Sequence, residues 1–111
     1  MKINPKLLQV KSYNSWSFNT TYIPQTLGYT NVFKDQTTCF INLNFRIDSV
    51  VANKNTTLVN NLPAPLQRQT FTGMVEATPI RLYIDEQGNL KTDTANIPTG
   101  WSSINVTYPL K

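Results

Sequence analysis

A chain of 111 residues has room for one ordinary domain and not two, and an apolar share of 40% is enough for a core without covalent staples. A single cysteine, Cys39, excludes an intrachain disulfide framework and a cysteine-based zinc site. The formal charge of +4 is spread over isolated Lys and Arg residues with no basic run, which speaks against nucleic-acid binding and leaves only a weak attraction to anionic polymers.

In chain order, residues 1–14 come first. They read either as an N-terminal arm that reaches a neighbouring subunit or as a short turn of helix around 6–10. Residues 1–10 carry no long apolar stretch and no small-residue cleavage site, so they do not read as a secretory signal. No segment approaches the roughly 20 apolar residues of a membrane helix, and no membrane insertion is expected. Residues 15–23 are aromatic and Thr-rich and predict a strand bounded by Pro24. Another short strand is expected over 28–33.

The clearest strand spans 38–48. Cys39, Ile41, Leu43, Phe45 and Ile47 fall on one face, and Phe40, Asn42, Asn44 and Arg46 on the other. Side chains alternate across a strand, so one face is buried and the other wet. Cys39 then serves as a small buried hydrophobe. Phe40 interrupts the polar face and is placed to cover a sheet edge or a partner.

Residues 57–62 predict extended chain, followed by a loop at Pro63-Ala64-Pro65, where prolines exclude helix. Residues 70–77 predict a strand with Phe71, Gly73, Val75 and Ala77 on one face, broken at Pro79. Ile80, Leu82 and Ile84 alternate with Arg81, Tyr83 and Asp85. A hairpin turn follows over 85–89, with Gly88 free to take a positive φ, and Leu90 starts the return. Ile97-Pro98-Thr99-Gly100 is a turn, and 101–108 is the last strand, alternating at Ile104, Val106 and Tyr108. About eight strands with frequent turns predict an all-β, antiparallel β-sandwich or jelly-roll-like domain over 15–111.

Catalysis is difficult to assemble from these residues. Histidine is absent, which removes the commonest general base near neutral pH and the commonest metal ligand. The six acids are Asp35, Asp48, Glu76, Asp85, Glu86 and Asp93, and turn chemistry accounts for Asp85. The four glycines stand apart and form no phosphate-binding loop. The expectation is a non-enzyme with no cofactor and no metal.

Binding is easier to build. Aromatic faces and planar amides hold sugars, because rings bury large area at low entropy cost and amides both donate and accept. Aromatic residues lie among asparagines at several places, and Trp16, Tyr29, Asn31, Trp101 and Asn105 are the candidate ligand contacts. The competing reading puts the tryptophans in the core or at a subunit interface and the asparagines in turns.

Over residues 28–109 a series of short motifs follows in order: TCFINLNFRI at 38–47, LVNNLP at 58–63, then Pro65 and Phe71. PIRLYIDEQGN follows at 79–89, IPTGW at 97–101 and Tyr108-Pro109 at the end. This order resembles the β-sandwich head domains of tail-fibre and baseplate proteins from phages of Gram-positive bacteria. The family's Gly-Tyr-Arg-Pro after Leu-Pro is replaced here by Ala64-Pro65-Leu66-Gln67-Arg68.

The resemblance implies a virion protein, made in the bacterial cytoplasm and carried at the tail tip or baseplate as a homotrimer. Its implied partners are further copies of itself, other tail or baseplate proteins, and host cell-wall saccharide or teichoic acid. The resemblance equally accommodates a purely structural module of the virion that binds no glycan. A partner-binding β domain unrelated to phage is the third class.

Overall fold

Alternation is what the chain builds on. The computed structural model describes residues 9–111, and strand β4, Thr38–Ile47, buries Cys39, Ile41, Leu43, Phe45 and Ile47 while turning Phe40, Asn42, Asn44 and Arg46 outward. Eight further strands are described: β1 (Lys11–Ser12), β2 (Ser17–Phe18), β3 (Gly28–Lys34), β5 (Thr57–Asn60), β6 (Gln69–Val75), β7 (Thr78–Ile84), β8 (Leu90–Thr92) and β9 (Gly100–Pro109). A single 3-10 turn, Gln25–Leu27, precedes β3, and there is no α-helix among the described residues.

The strands form two antiparallel sheets. One has the order β1-β3-β4-β9, the other β2-β5-β8-β7-β6. Their inner faces share one core, in which Val32, Ile41, Leu43, Phe45, Ile104 and Tyr108 of the first sheet meet Leu58, Val75, Ile80, Leu82, Ile84 and Leu90 of the second. A fully buried side chain of this size contributes about 1.5–3 kcal/mol, so the shared core is the main source of stability. Cys39 is completely buried within it, and burial pushes its thiol pKa up.

Two pieces of backbone chemistry fix the ends. At the β7–β8 hairpin Gly88 has φ 90°, and Asp85 Oδ1 accepts the Gln87 and Asn89 N–H groups at 3.0 and 2.9 Å. The Gly88 carbonyl accepts the Leu62 N–H at 2.8 Å, and a Cβ at 88 would lie 2.0 Å from the Leu62 oxygen. Thus a glycine is required both by φ and by the approach of the 61–66 loop. At the other end of the domain Glu76 clasps Trp101: its N–H donates to the Trp101 carbonyl at 2.9 Å, and its Oε1 accepts the Trp101 N–H at 3.1 Å.

Several expectations change. The strand expected over 15–23 shrinks to Ser17–Phe18, because the chain turns at Asn19, whose carbonyl accepts the Tyr22 and Ile23 N–H groups. The strand expected over 70–77 ends at Val75, where a two-residue loop of Glu76 and Ala77 leads into β7. Glu76 takes φ 52° there, a conformation its clasp on Trp101 maintains. Pro79 does not break the chain but sits within β7 opposite Met74. It is tolerated because β8 pairs only with Leu82 to Ile84 and never reaches it. Residues 1–8 of the expected arm, with most of the expected helical turn, lie outside the described residues. Lys11–Ser12 joins the first sheet as its edge strand, opposite Lys34 and Phe33.

Candidate binding face

The outward side of the first sheet gathers the residues that binding would need. Register places them in rows across β3, β4 and β9. Arg46 faces Trp101. In the next row stand Tyr29, Asn44 and Ser103, then Asn31, Asn42 and Asn105, then Phe33, Phe40 and Thr107. Neighbouring strands lie about 4.8 Å apart and successive rows about 7 Å apart. The face therefore runs about 20 Å from Trp101 to the Phe33–Phe40 pair, and about 10 Å across.

Four rings on this face are open to solvent: Tyr29 at 59%, Trp101 at 51%, Phe33 at 43% and Phe40 at 40% of their full exposure. Scattered single exposed apolar residues are ordinary, but rings gathered on one face make it the candidate interaction surface. Between them lies the amide row. Ser103 Oγ donates to Asn44 Oδ1 at 2.8 Å, and Asn44 Nδ2 donates to Asn42 Oδ1 at 3.1 Å, so two of the amides are oriented by their neighbours. Among the described residues the Asn31 and Asn105 amides take no protein partner, leaving donors and acceptors for a ligand. The row with Phe33, Phe40 and Thr107 lines a shallow depression of about 160 Å³. A second depression, of about 360 Å³, is lined by Asn44, Met74, Glu76, Trp101 and Ser103, with Met74 reaching in from β6.

Tyr29, Asn31, Trp101 and Asn105, four of the five expected contacts, thus share one face. Trp16 does not. It is half-buried beside β2, with its ring edge-on to Phe18 at 5.1 Å between centroids, and it packs against the core. The reason is its place in the chain: Trp16 precedes Phe18, whose side chain enters the core between the sheets, and it covers that entry point.

Phe33, Asn42, Asn44, Met74 and Glu76 join this face beyond the expected contacts. The alternation of 38–47 held the signal for Asn42 and Asn44, since both share the outward face with Phe40. Nothing local points to Glu76, whose role comes from a contact 25 residues along the chain.

The outward side of the second sheet has a different chemistry. Lys54 and Arg81 each lie 3.8 Å from Asp93, and Lys91 lies 3.2 Å from Asp85. Arg68 stacks over the Tyr83 ring at 3.6 Å, and the Tyr83 hydroxyl donates to Asn55 Oδ1 at 2.7 Å. This is a solvated ionic surface. Burial acts to raise the Asp85 pKa, but the Asn89 N–H, the Lys91 ammonium and the Gln87 N–H outweigh it and hold the carboxyl below its ordinary value. Asp35, at the β3–β4 turn, is held low by the Thr37 and Thr38 N–H groups.

No protein-family model matches the chain, and no curated protein matches it.

Proposed function

We propose that the chain is a non-catalytic attachment domain. In this reading it is the head of a phage tail-fibre or baseplate protein that assembles as a homotrimer and holds host cell-wall saccharide on the outward face of β3, β4 and β9. The observation that carries the reading is the amide row Asn31–Asn42–Asn105 between exposed rings at both ends of one face. Rings offer apolar faces to the C–H side of a sugar, and amides match its hydroxyls as both donor and acceptor. Trimerisation multiplies weak contacts, because a second bound site acts at a high effective concentration.

The motifs behind the family resemblance also meet in space. Leu62-Pro63 and Tyr108-Pro109 are joined through the Tyr108 hydroxyl and the Pro63 carbonyl. In this chain the loop and the closing strand are thus held together. The jelly-roll connectivity and the trimer belong to the proposal.

A second reading has its own observation. Phe33 and Phe40 stand directly opposite each other on adjacent strands and are both exposed, an apolar pair suited to a protein neighbour. On that reading the domain is a structural module of the virion. The discriminating experiment combines light scattering with pull-down of the domain on intact cell walls of Gram-positive bacteria. A trimer that binds walls, and loses them with Trp101→Ala or Tyr29→Ala, supports attachment. A stable oligomer without wall binding, in which the rings are protected from solvent, supports the structural module.

A further inference from the structure

The two outward faces of the domain separate two kinds of chemistry, and this separation selects a ligand class. Among the described residues, the ring-and-amide face carries a single cation, Arg46, and a single carboxylate, Glu76, both at its Trp101 end. Along the rest of its length, from Tyr29 to Phe40, every outward side chain of β3, β4 and β9 is uncharged. Lys54, Arg68, Arg81 and Lys91, by contrast, sit with the second sheet, where Asp85 and Asp93 already engage three of them, while Lys11 and Lys34 stand opposite each other at the β1–β3 edge of the first sheet, on the side away from the ring rows by register. A polyanion lying along the rows would find most of the described counter-charges off this face, and a desolvated phosphate on the amide row would meet no cation within that row.

Resting on the attachment reading, we infer that the face takes an uncharged polysaccharide and not a phosphate polymer, and that it grips an internal run of the polymer lying along the strands. The long axis follows from the rows. The rings stand at the two ends of a strip about twice as long as it is wide, and the amides fill its middle. A terminal monosaccharide would touch one row. A run of several sugar rings reaches from Trp101 to Phe33 and Phe40.

The test uses wall polymers released from a panel of Gram-positive bacteria by muramidase and divided by anion exchange into phosphate-poor and phosphate-rich fractions. Each fraction is titrated into the isotope-labelled full chain and followed by NMR. Binding of a phosphate-poor fraction is expected, with shifts at Tyr29, Asn31, Asn105 and Trp101 and an affinity about tenfold or more weaker in Trp101→Ala. Raising NaCl from about 0.05 to about 0.5 M, which collapses charge attraction, is expected to change that affinity less than about twofold. Mild depolymerisation to single sugars is expected to abolish it. Binding of the phosphate-rich fraction alone, weakened steeply by salt and by Arg68→Ala with Arg81→Ala, would overturn the inference while leaving attachment standing. Binding undiminished by depolymerisation would overturn the internal-run geometry. No binding of any fraction would overturn the attachment reading itself.

Discussion

The Tyr108 hydroxyl donates a 2.8 Å hydrogen bond to the Pro63 carbonyl, 45 residues away, inside the buried junction between the closing strand and the 61–66 loop. Burial drives the phenol pKa far above its ordinary value, and contact with the Cys39 thiol raises it further, so the phenol keeps its proton. The tyrosine is fully enclosed, and its bond ties the first sheet to a loop that also holds the Gly88 carbonyl of the second. Replacing Tyr108 by Phe keeps the ring and leaves the buried Pro63 carbonyl without its donor. The expected cost is about 1–3 kcal/mol in urea unfolding, with an unchanged m-value.

Gly88→Ala is expected to be more damaging. The added Cβ falls 2.0 Å from the Leu62 oxygen at a φ of 90°, and the obstacle is backbone, not a side chain that can rotate away. A loss of about 3 kcal/mol or more is expected in denaturant unfolding. An alanine variant as stable as the parent would mean that the 61–66 loop does not rest on the hairpin.

The two tryptophans are expected to behave oppositely. Trp16→Ala removes a ring packed on Phe18 and the core, and should cost about 2 kcal/mol while leaving ligand affinity unchanged. Trp101→Ala, at a half-exposed position, should cost less than about 1 kcal/mol and weaken wall binding about tenfold or more. Thermal unfolding and wall pull-down on the same two variants read both effects.

Asp85 makes stability pH-dependent. Its folded pKa is held below the unfolded value, so its contribution is present above the unfolded pKa, near 3.8, and is lost as pH falls through the folded value. Asp85→Asn retains an acceptor for the Gln87 and Asn89 N–H groups but loses the charge facing Lys91. The acid limb of stability, measured by urea unfolding between about pH 5 and pH 2, is expected to be shallower in this variant. An identical acid limb would assign the dependence to Asp35 instead.

Much of this architecture is legible in the residues. The alternation at 38–47 gives β4 and both of its faces, and the 85–89 turn with Gly88 gives the β7–β8 hairpin. What escapes is what tertiary contact decides. Two-residue strands such as Lys11–Ser12 have no period to read. The Glu76–Ala77 loop carries no Gly, Asn or Pro, and its left-handed residue is a glutamate kept in place by Trp101. Trp16 and Trp101 look alike in composition, each with small polar neighbours. Only the packing of Phe18 into the core separates one from the other. On the face, Tyr29 and Asn31 of β3 and Trp101 and Asn105 of β9 are legible by residue type, Asn42 and Asn44 follow from the alternation of β4, and Phe33 is placed there by its register with Phe40.

The strand that bears Trp101 and Asn105 is fastened at both extremities. Glu76 holds its beginning through two hydrogen bonds to Trp101, and at its end the Pro109 carbonyl accepts the Leu66 N–H while Pro65 bridges Leu110. β4 lines one side along its whole length. Such a strand has little slack, so the face is already in its receiving shape before anything arrives. On the attachment reading, a ligand meets a plate and not a glove: capture carries little ordering entropy on the protein side, and affinity is then tuned by how long the guest stays.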